Sequence, residues 1–517
     1  MKRWKLLIAT LVPSSARGGA AELAGLAAAL AEIEKQPRYQ PSDWGYCVLD
    51  QETGEVLAAQ NADHLFDPGS TMKTYAVSTA LRLYGSDYRF HTPVYRAGSV
   101  TGGALNGNLV LVGSGDLCLG LREQPGGTLY YENFPDLDQS YATIGIPGAV
   151  EPPGNPLAGL DQLAAMVRDS GITRVNGDVV IDDRLFTPCN GFPDGLISPI
   201  WVNENLIDAL VTPGAAAGQP ASISWRPMTA SYTVDNQATT VAANEATSLS
   251  MEEPSPGHLV VTGTIAAGSK PTLVAIQVQD PSAFARTAFI EALQRAGVTV
   301  SATPTGPNPA TLLPAKDSYQ SADKVAEHVS ATLAQYVNLI MKVSYNRGAD
   351  LMTCLSAVKA GSTDCEQGLV EEVNTVTELG VAKTSVFPMD GAGSNDQDRS
   401  SPAALASFYR AATETPYAQA LFDSLPVLGK SGTMANVLPD SPAAGHAQVK
   451  TGNRVVGTPA GQMIVLGNSL AGYIQAKSGR QLTFMIAVAN VPISSIAEFE
   501  QITPDQARMV AAIQQSL

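Results

Sequence analysis

The chain has 517 residues, 44% of them hydrophobic and 15% charged, and a net charge of −16. That length suits about three domains of ordinary size, with enough apolar content for a sizeable core. The acidic balance argues against nucleic acid and anionic lipid surfaces as partners, and no apolar tract beyond the first residues reaches transmembrane length.

Met1 to Lys5 is a basic start, Leu6 to Val12 a short apolar core, and small residues follow through Ala20. Residues 1–20 thus resemble a secretory signal. Trp44 to Leu57 predicts a hairpin turning at Glu52-Thr53-Gly54. Asp67-Pro68-Gly69 then marks a turn, and Met72, Tyr75, Ala76, Val77, Ala80 and Leu81 recur with helical spacing behind it. Ser70 therefore opens a helix whose free N–H groups can face a developing oxyanion. Lys73, three positions on, returns to the face of Ser70. A partly buried lysine near other cations gives up its proton more easily, which makes Lys73 a candidate base for a Ser70 nucleophile. In isolation, Ser-x-x-Lys describes a capping serine and a surface lysine equally well.

From about residue 93 to about residue 311 the texture changes to short strands with Gly, Pro and Asn turns, holding one clear helix, Leu160 to Asp169. This predicts a β-rich insert, 93–311, of one or two subdomains. Helical periodicity returns from Asp323 through Leu379 and again over Pro402 to Ala412. Within it, Ser344-Tyr345-Asn346 suits a short loop between helices. The Ser344 hydroxyl can pass protons between Lys73 and a leaving amine, and the Asn346 amide can hold a substrate carbonyl or Lys73. Cys354 and Cys365 bracket a short stretch that a disulfide would close, worth roughly 2–3 kcal/mol of chain entropy in an oxidising compartment. Cys47, Cys118 and Cys189 and the scattered histidines show no ligand spacing, so neither metal nor cofactor is expected.

Two triplets near the C-terminus fit an anion clamp, Lys430-Ser431-Gly432 and Lys450-Thr451-Gly452. The clamp lysine must sit on a strand bordering the cleft, with a glycine that lets a substrate backbone approach. Lys450 precedes a strand-turn-strand pattern, Ala471 to Ala476 and Leu482 to Ala489, whereas Lys430 leads into a Pro-rich loop. Lys450 with Thr451 and Gly452 is therefore the expected carboxylate-binding group, and the backbone N–H of Asn453 the second oxyanion donor beside that of Ser70. Thr503 and Pro504 predict the cap and first turn of a final helix.

Ser-x-x-Lys, Ser-x-Asn and Lys-Thr-Gly in this order form a signature of penicillin-binding proteins and β-lactamases. With Gly113-Ser-Gly-Asp116, Asn176-Gly-Asp178, Asn203-Glu-Asn205 and Asp390-Gly-Ala-Gly393, the chain from about residue 38 onward resembles the class C low-molecular-mass penicillin-binding proteins, the D-alanyl-D-alanine carboxypeptidase/endopeptidase family. The resemblance implies an α/β fold. Its β-lactamase/transpeptidase-like catalytic domain, 21–92 plus 312–517, has an antiparallel sheet with helices on both faces, interrupted by the insert. It implies a serine carboxypeptidase, with cross-link cutting as a second action, whose substrates are peptidoglycan stem peptides and whose inhibitors are β-lactam antibiotics. The enzyme would be exported to the periplasm or cell-wall space. A serine β-lactamase and a catalytically weak cell-wall-binding relative are the alternatives. Asp396 stands where the family often has an arginine that reads the stem peptide, and Asn453 where it usually has threonine. Asp396 would favour a cationic third residue of the stem.

Overall fold

The computed structural model describes residues 17–190 and 192–517. Almost all of the expected signal, residues 1–16, lies outside the described residues.

A five-stranded antiparallel sheet runs in the order Val56–Gln60, Asp43–Asp50, Gln481–Ile493, Met463–Gln475, Ala447–Gly457. The N-terminal hairpin thus pairs with strands more than 400 positions away, Trp44 opposite Val488. Alternation along Gln481–Ile493 feeds two cores. Leu482, Phe484, Ile486 and Val488 pack with Leu26 and Leu30 of helix Arg17–Glu34 and with Met509 and Ile513 of helix Ile502–Ser516. Met485, Ala487 and Ala489 face the opposite core, with Tyr75 and Leu81 of helix Lys73–Tyr84 and with Phe408 and Tyr409 of helix Pro402–Ala412. Helices therefore cover both faces, as a sheet buried on two sides requires. Strand Ala447–Gly457, which carries Lys450, is an edge of this sheet.

Between the serine helix and the helix before Ser344 lie separate sheets with their own apolar clusters. The largest is six-stranded and pairs Arg89–Thr101 with both Ala104–Val112 and Lys324–Thr332. Three expectations are corrected here. Lys324–Thr332 is a strand, not the start of a helix. Its alternation is hidden because the inward positions include His328 and Ser330, polar side chains that are buried. The sheet consequently extends past residues 93 and 311. A second helix, Pro281–Arg295, is present besides Ala158–Asp169, with Pro281 in its first turn and the Asp280 carboxylate accepting from Ala283 N at 2.9 Å. It is buried on most sides, so it shows no clean amphipathic stripe. Finally, the last helix begins at Ile502 behind Gln501, and Thr503 lies inside it rather than capping it.

Candidate active site

Asp67 Oδ1 accepts from Gly69 N at 2.9 Å and Thr71 Oγ1 donates to the Pro68 carbonyl at 2.8 Å, which fixes the turn before the nucleophile. Ser70 lies in a single 3₁₀ turn, Gly69–Met72, that runs into the buried helix Lys73–Tyr84. Ser344 ends helix Leu333–Val343 in the left-handed region (φ 61°), and Asn346 opens helix Asn346–Lys359. The short loop predicted between helices is this junction. A non-glycine residue held there costs of order 1 kcal/mol and needs bracing. The insert braces it: Tyr141 Oη donates to the Val343 and Ser344 carbonyls, each at 3.3 Å. Arg347 Nη2 donates to the Glu204 carbonyl at 2.8 Å, and the Glu204 carboxylate is ion-paired to the buried Arg122. Glu204 is the middle of three consecutive left-handed residues, Asn203 to Asn205.

The three motifs meet at two lysines. Lys73 Nζ lies 2.8 Å from Ser70 Oγ, 2.6 Å from Asn346 Oδ1 and 2.7 Å from the Ala392 carbonyl. The two oxygens from Asn346 and Ala392 can only accept. A neutral amine gives one N–H to each and keeps its lone pair for the remaining neighbour, the Ser70 hydroxyl. The geometry therefore suits proton transfer from Ser70 to Lys73. Burial pushes Lys73 down to about 8, against the pull of Asp194, Asp350, Asp390 and Asp398. The second lysine, Lys450, is fully buried. Its Nζ donates to Ser344 Oγ at 2.9 Å and to the Thr451 carbonyl at 2.7 Å, and burial, then the charge of Lys73, holds it well below the ordinary lysine value. Its influence on the cleft passes through Ser344 and Thr451. The Thr451 hydroxyl sits 3.3 Å from that of Thr433. Lys430 is exposed.

Gly452 is needed for contact between the strand and the nucleophile's turn. A Cβ there would overlap the Pro68 carbonyl oxygen and stand 2.9 Å from Ser70 N. On the other side, a Cβ on Gly69 would stand 2.5 Å from Asn453 N. The segments carrying the two expected oxyanion donors, Ser70 and Asn453, thus abut. Asp396 does not join this cluster. Its carboxylate is exposed, and its carbonyl accepts from Arg399 Nη1 at 2.8 Å.

Several site residues escaped the sequence analysis. The Asp390 carboxylate accepts from the N–H groups of Ala392 (2.9 Å), Gly393 (2.5 Å) and Ser394 (3.1 Å), so it presents the Ala392 carbonyl to Lys73. The Asp390-Gly-Ala-Gly run was visible, but its contact with Lys73 was not. Arg454 ties three segments together: it pairs with Asp67 at 2.8 Å and donates to the Gly393 carbonyl at 2.7 Å and to the Ser394 carbonyl. Asp194, from the insert, accepts from Asn346 Nδ2 at 2.8 Å. No local pattern marks it. Cys354 and Cys365 form a disulfide, and Cys189 Sγ lies within 4.8 Å of both sulfurs, two of which are thereby unavailable as thiolate ligands.

The chain is similar to known proteins in sequence and in fold. The sequence profile of the D-Ala-D-Ala carboxypeptidase 3 (S13) family matches residues 26–510. A D-alanyl-D-alanine carboxypeptidase of Actinomadura sp. (strain R39) is 28% identical over 498 residues, 92% of this chain and 82% of that protein. The D-alanyl-D-alanine carboxypeptidase DacB of Haemophilus influenzae is 22% identical over 414 residues, 76% of each chain. The crystal structure of penicillin binding protein 4 (dacB) from H. influenzae superposes with a TM-score of 0.69 at 19% identity, covering 94% of this chain and 97% of that one. The same protein complexed with a β-lactam gives a TM-score of 0.65 at 20% identity, again over 94% and 97%.

Proposed function

The chain belongs to the D-Ala-D-Ala carboxypeptidase 3 (S13) family and is a serine-type carboxypeptidase; from that premise we propose that Ser70 is its nucleophile and Lys73 its base. Ser70 Oγ attacks the carbonyl carbon of the penultimate D-alanine, and its proton passes to Lys73 Nζ. The oxyanion of the tetrahedral intermediate is held by the N–H groups of Ser70 and Asn453. As the peptide bond breaks, the Ser344 hydroxyl relays a proton to the departing D-alanine amine, and Lys450 behind it favours the charge redistribution. The Thr451 hydroxyl, backed by Lys450, receives the terminal carboxylate. Water then hydrolyses the ester on Ser70. A β-lactam enters the same path, its ring opening to leave a penicilloyl ester.

The observation that carries this reading is the set of three oxygens around Lys73 Nζ: the Asn346 and Ala392 oxygens take the two N–H groups of a neutral amine and leave its lone pair to the Ser70 hydroxyl. Among the described residues, the hydrogen-bond partner of Ser70 Oγ is Lys73. Membership of a carboxypeptidase family favours a peptidase over a β-lactamase. The substrate is peptidoglycan, so the enzyme works outside the cytoplasm, and the periplasm or cell-wall space is its proposed location. Asp396 is proposed to favour a cationic third residue of the stem peptide, and residues 93–311 to form the wall of the cleft on the Ser344 side. The direct test is release of D-alanine from a peptide ending in D-Ala-D-Ala. The parent protein should release it and Ser70→Ala should not; release by Ser70→Ala at the parent rate would move the nucleophile elsewhere.

A further inference from the structure

One carboxylate outside the three motifs reaches the catalytic cluster. Cys189 and Ile197 pair backbone to backbone (3.1 and 3.0 Å) and close a loop that carries Asp194 near its tip. Gln277 Nε2 holds the Asp194 carbonyl at 2.8 Å, and the Asp194 carboxylate accepts from Asn346 Nδ2 at 2.8 Å.

An amide side chain has two orientations, and they have opposite consequences here. With Nδ2 committed to a carboxylate, which can only accept, Asn346 Oδ1 must face Lys73. Lys73 then meets an acceptor, spends an N–H on it, and keeps its lone pair for Ser70. In the flipped orientation the Asn346 NH₂ would face Lys73. It would repel an ammonium, or occupy the lone pair of a neutral amine that should take the Ser70 proton. The same flip would set the amide oxygen against the Asp194 carboxylate, two acceptors facing each other.

We propose that Asp194 is a positioning residue for acylation: it locks the Asn346 amide with its oxygen toward Lys73 and adds a negative charge beside that amine. This inference rests on the assignment of Ser70 and Lys73 above. Charged groups face Lys73 from every element around it. Asp194 comes from the insert loop, Asp350 from helix Asn346–Lys359, Asp390 and Asp398 from the loop before Pro402, and Lys450 from the edge strand. The four carboxylates favour the ammonium, and burial and Lys450 oppose it. Asp350, Asp390 and Asp398 are buried, and their own carboxyls are pushed up in consequence. Removing the Asp194 charge must therefore make Lys73 easier to deprotonate.

Two substitutions separate the two contributions. Asp194→Asn keeps an acceptor for Asn346 and removes the charge, while Asp194→Ala removes both. The rate of acylation by benzylpenicillin is followed by intact-protein mass from pH 6 to pH 10. For Asp194→Asn, the midpoint of the rising limb should move to lower pH, a change that loss of packing alone would not produce. For Asp194→Ala, the high-pH plateau should fall by about tenfold to a hundredfold as the amide becomes free to turn. An unmoved midpoint in Asp194→Asn overturns the proposal, as does a parent-like plateau in a folded Asp194→Ala. If Asp194→Ala fails to fold, the midpoint of Asp194→Asn decides alone. A parent protein that takes no penicillin on Ser70 would refute the underlying assignment and this inference with it; an acylated parent with unmoved variants refutes this inference only.

Discussion

The base assigned to Lys73 can be read from the pH dependence of acylation. Burial lowers Lys73 to about 8, with Asp194, Asp350, Asp390 and Asp398 pulling the other way. The sign is fixed by the chemistry: only the neutral amine can accept the Ser70 proton, so the rate is small below this value and saturates above it. A group at about 8 is neutral in about 9% of molecules at pH 7, about half at pH 8 and about 90% at pH 9. Acylation should therefore rise about fivefold from pH 7 to pH 8 and less than about twofold from pH 8 to pH 9. A lysine at its ordinary value would be neutral in roughly one molecule in 2,500 at pH 7, and its rate would still climb about sevenfold from pH 9 to pH 10. The assay is the pseudo-first-order appearance of the penicilloyl adduct by mass, corrected for hydrolysis of free penicillin at each pH. Lys73→Ala should abolish the limb and lower the plateau by roughly 10²–10⁴-fold. A parent rate that is flat from pH 6 to 9, or that climbs without saturation through pH 10, would refute the assignment.

The remaining predictions concern substrate recognition and packing. Lys450→Ala should lower kcat/KM for a peptide ending in a free carboxylate more than for its amidated form, by about tenfold or more in the ratio, since hydrogen bonds to charged groups are the strong ones. The exposed Lys430→Ala should leave that ratio unchanged; the reverse ranking would put the clamp on the wrong lysine. Gly452→Ala places a Cβ against the Pro68 carbonyl oxygen, so acylation should fall at least about tenfold and stability by about 1–3 kcal/mol, seen by penicillin labelling and thermal unfolding. A variant matching the parent in both would show that the turn can move. Asp396→Asn should lower the rate ratio between peptides carrying lysine and diaminopimelate at the third position; an unchanged ratio would leave Asp396 a solvated loop acid.

How far the sequence went depends on whether each contact is local. Ser70 and Lys73 share a helical turn, and Ser344 and Asn346 flank a helix junction, so their spacing already encoded their direction. Choosing Lys450 over Lys430 rested on the strand-turn-strand pattern that follows Lys450, and that pattern is local too. The chain's long-range contacts left weaker traces. Asp194 lies 152 positions from Asn346, and nothing near it in sequence announces the meeting. Arg454 was hidden by its neighbours, since its partners Asp67 and Gly393 come from two other segments. Lys324–Thr332 was misread for a related reason: His328 turns inward because Asp116 and Glu123 receive it, each at 3.5 Å. Hydropathy periodicity cannot register a polar side chain whose burial is compensated by distant partners.

The central claim is that one serine, Ser70, forms the covalent ester. The most direct measurement is proteolysis of the penicillin-treated protein followed by tandem mass mapping of the adduct, in parallel on the parent and on Ser70→Ala. The account predicts a single penicilloyl group on Ser70 of the parent and none on the variant. An adduct on Ser344 or any other residue of the parent, or equal labelling of Ser70→Ala, would contradict it.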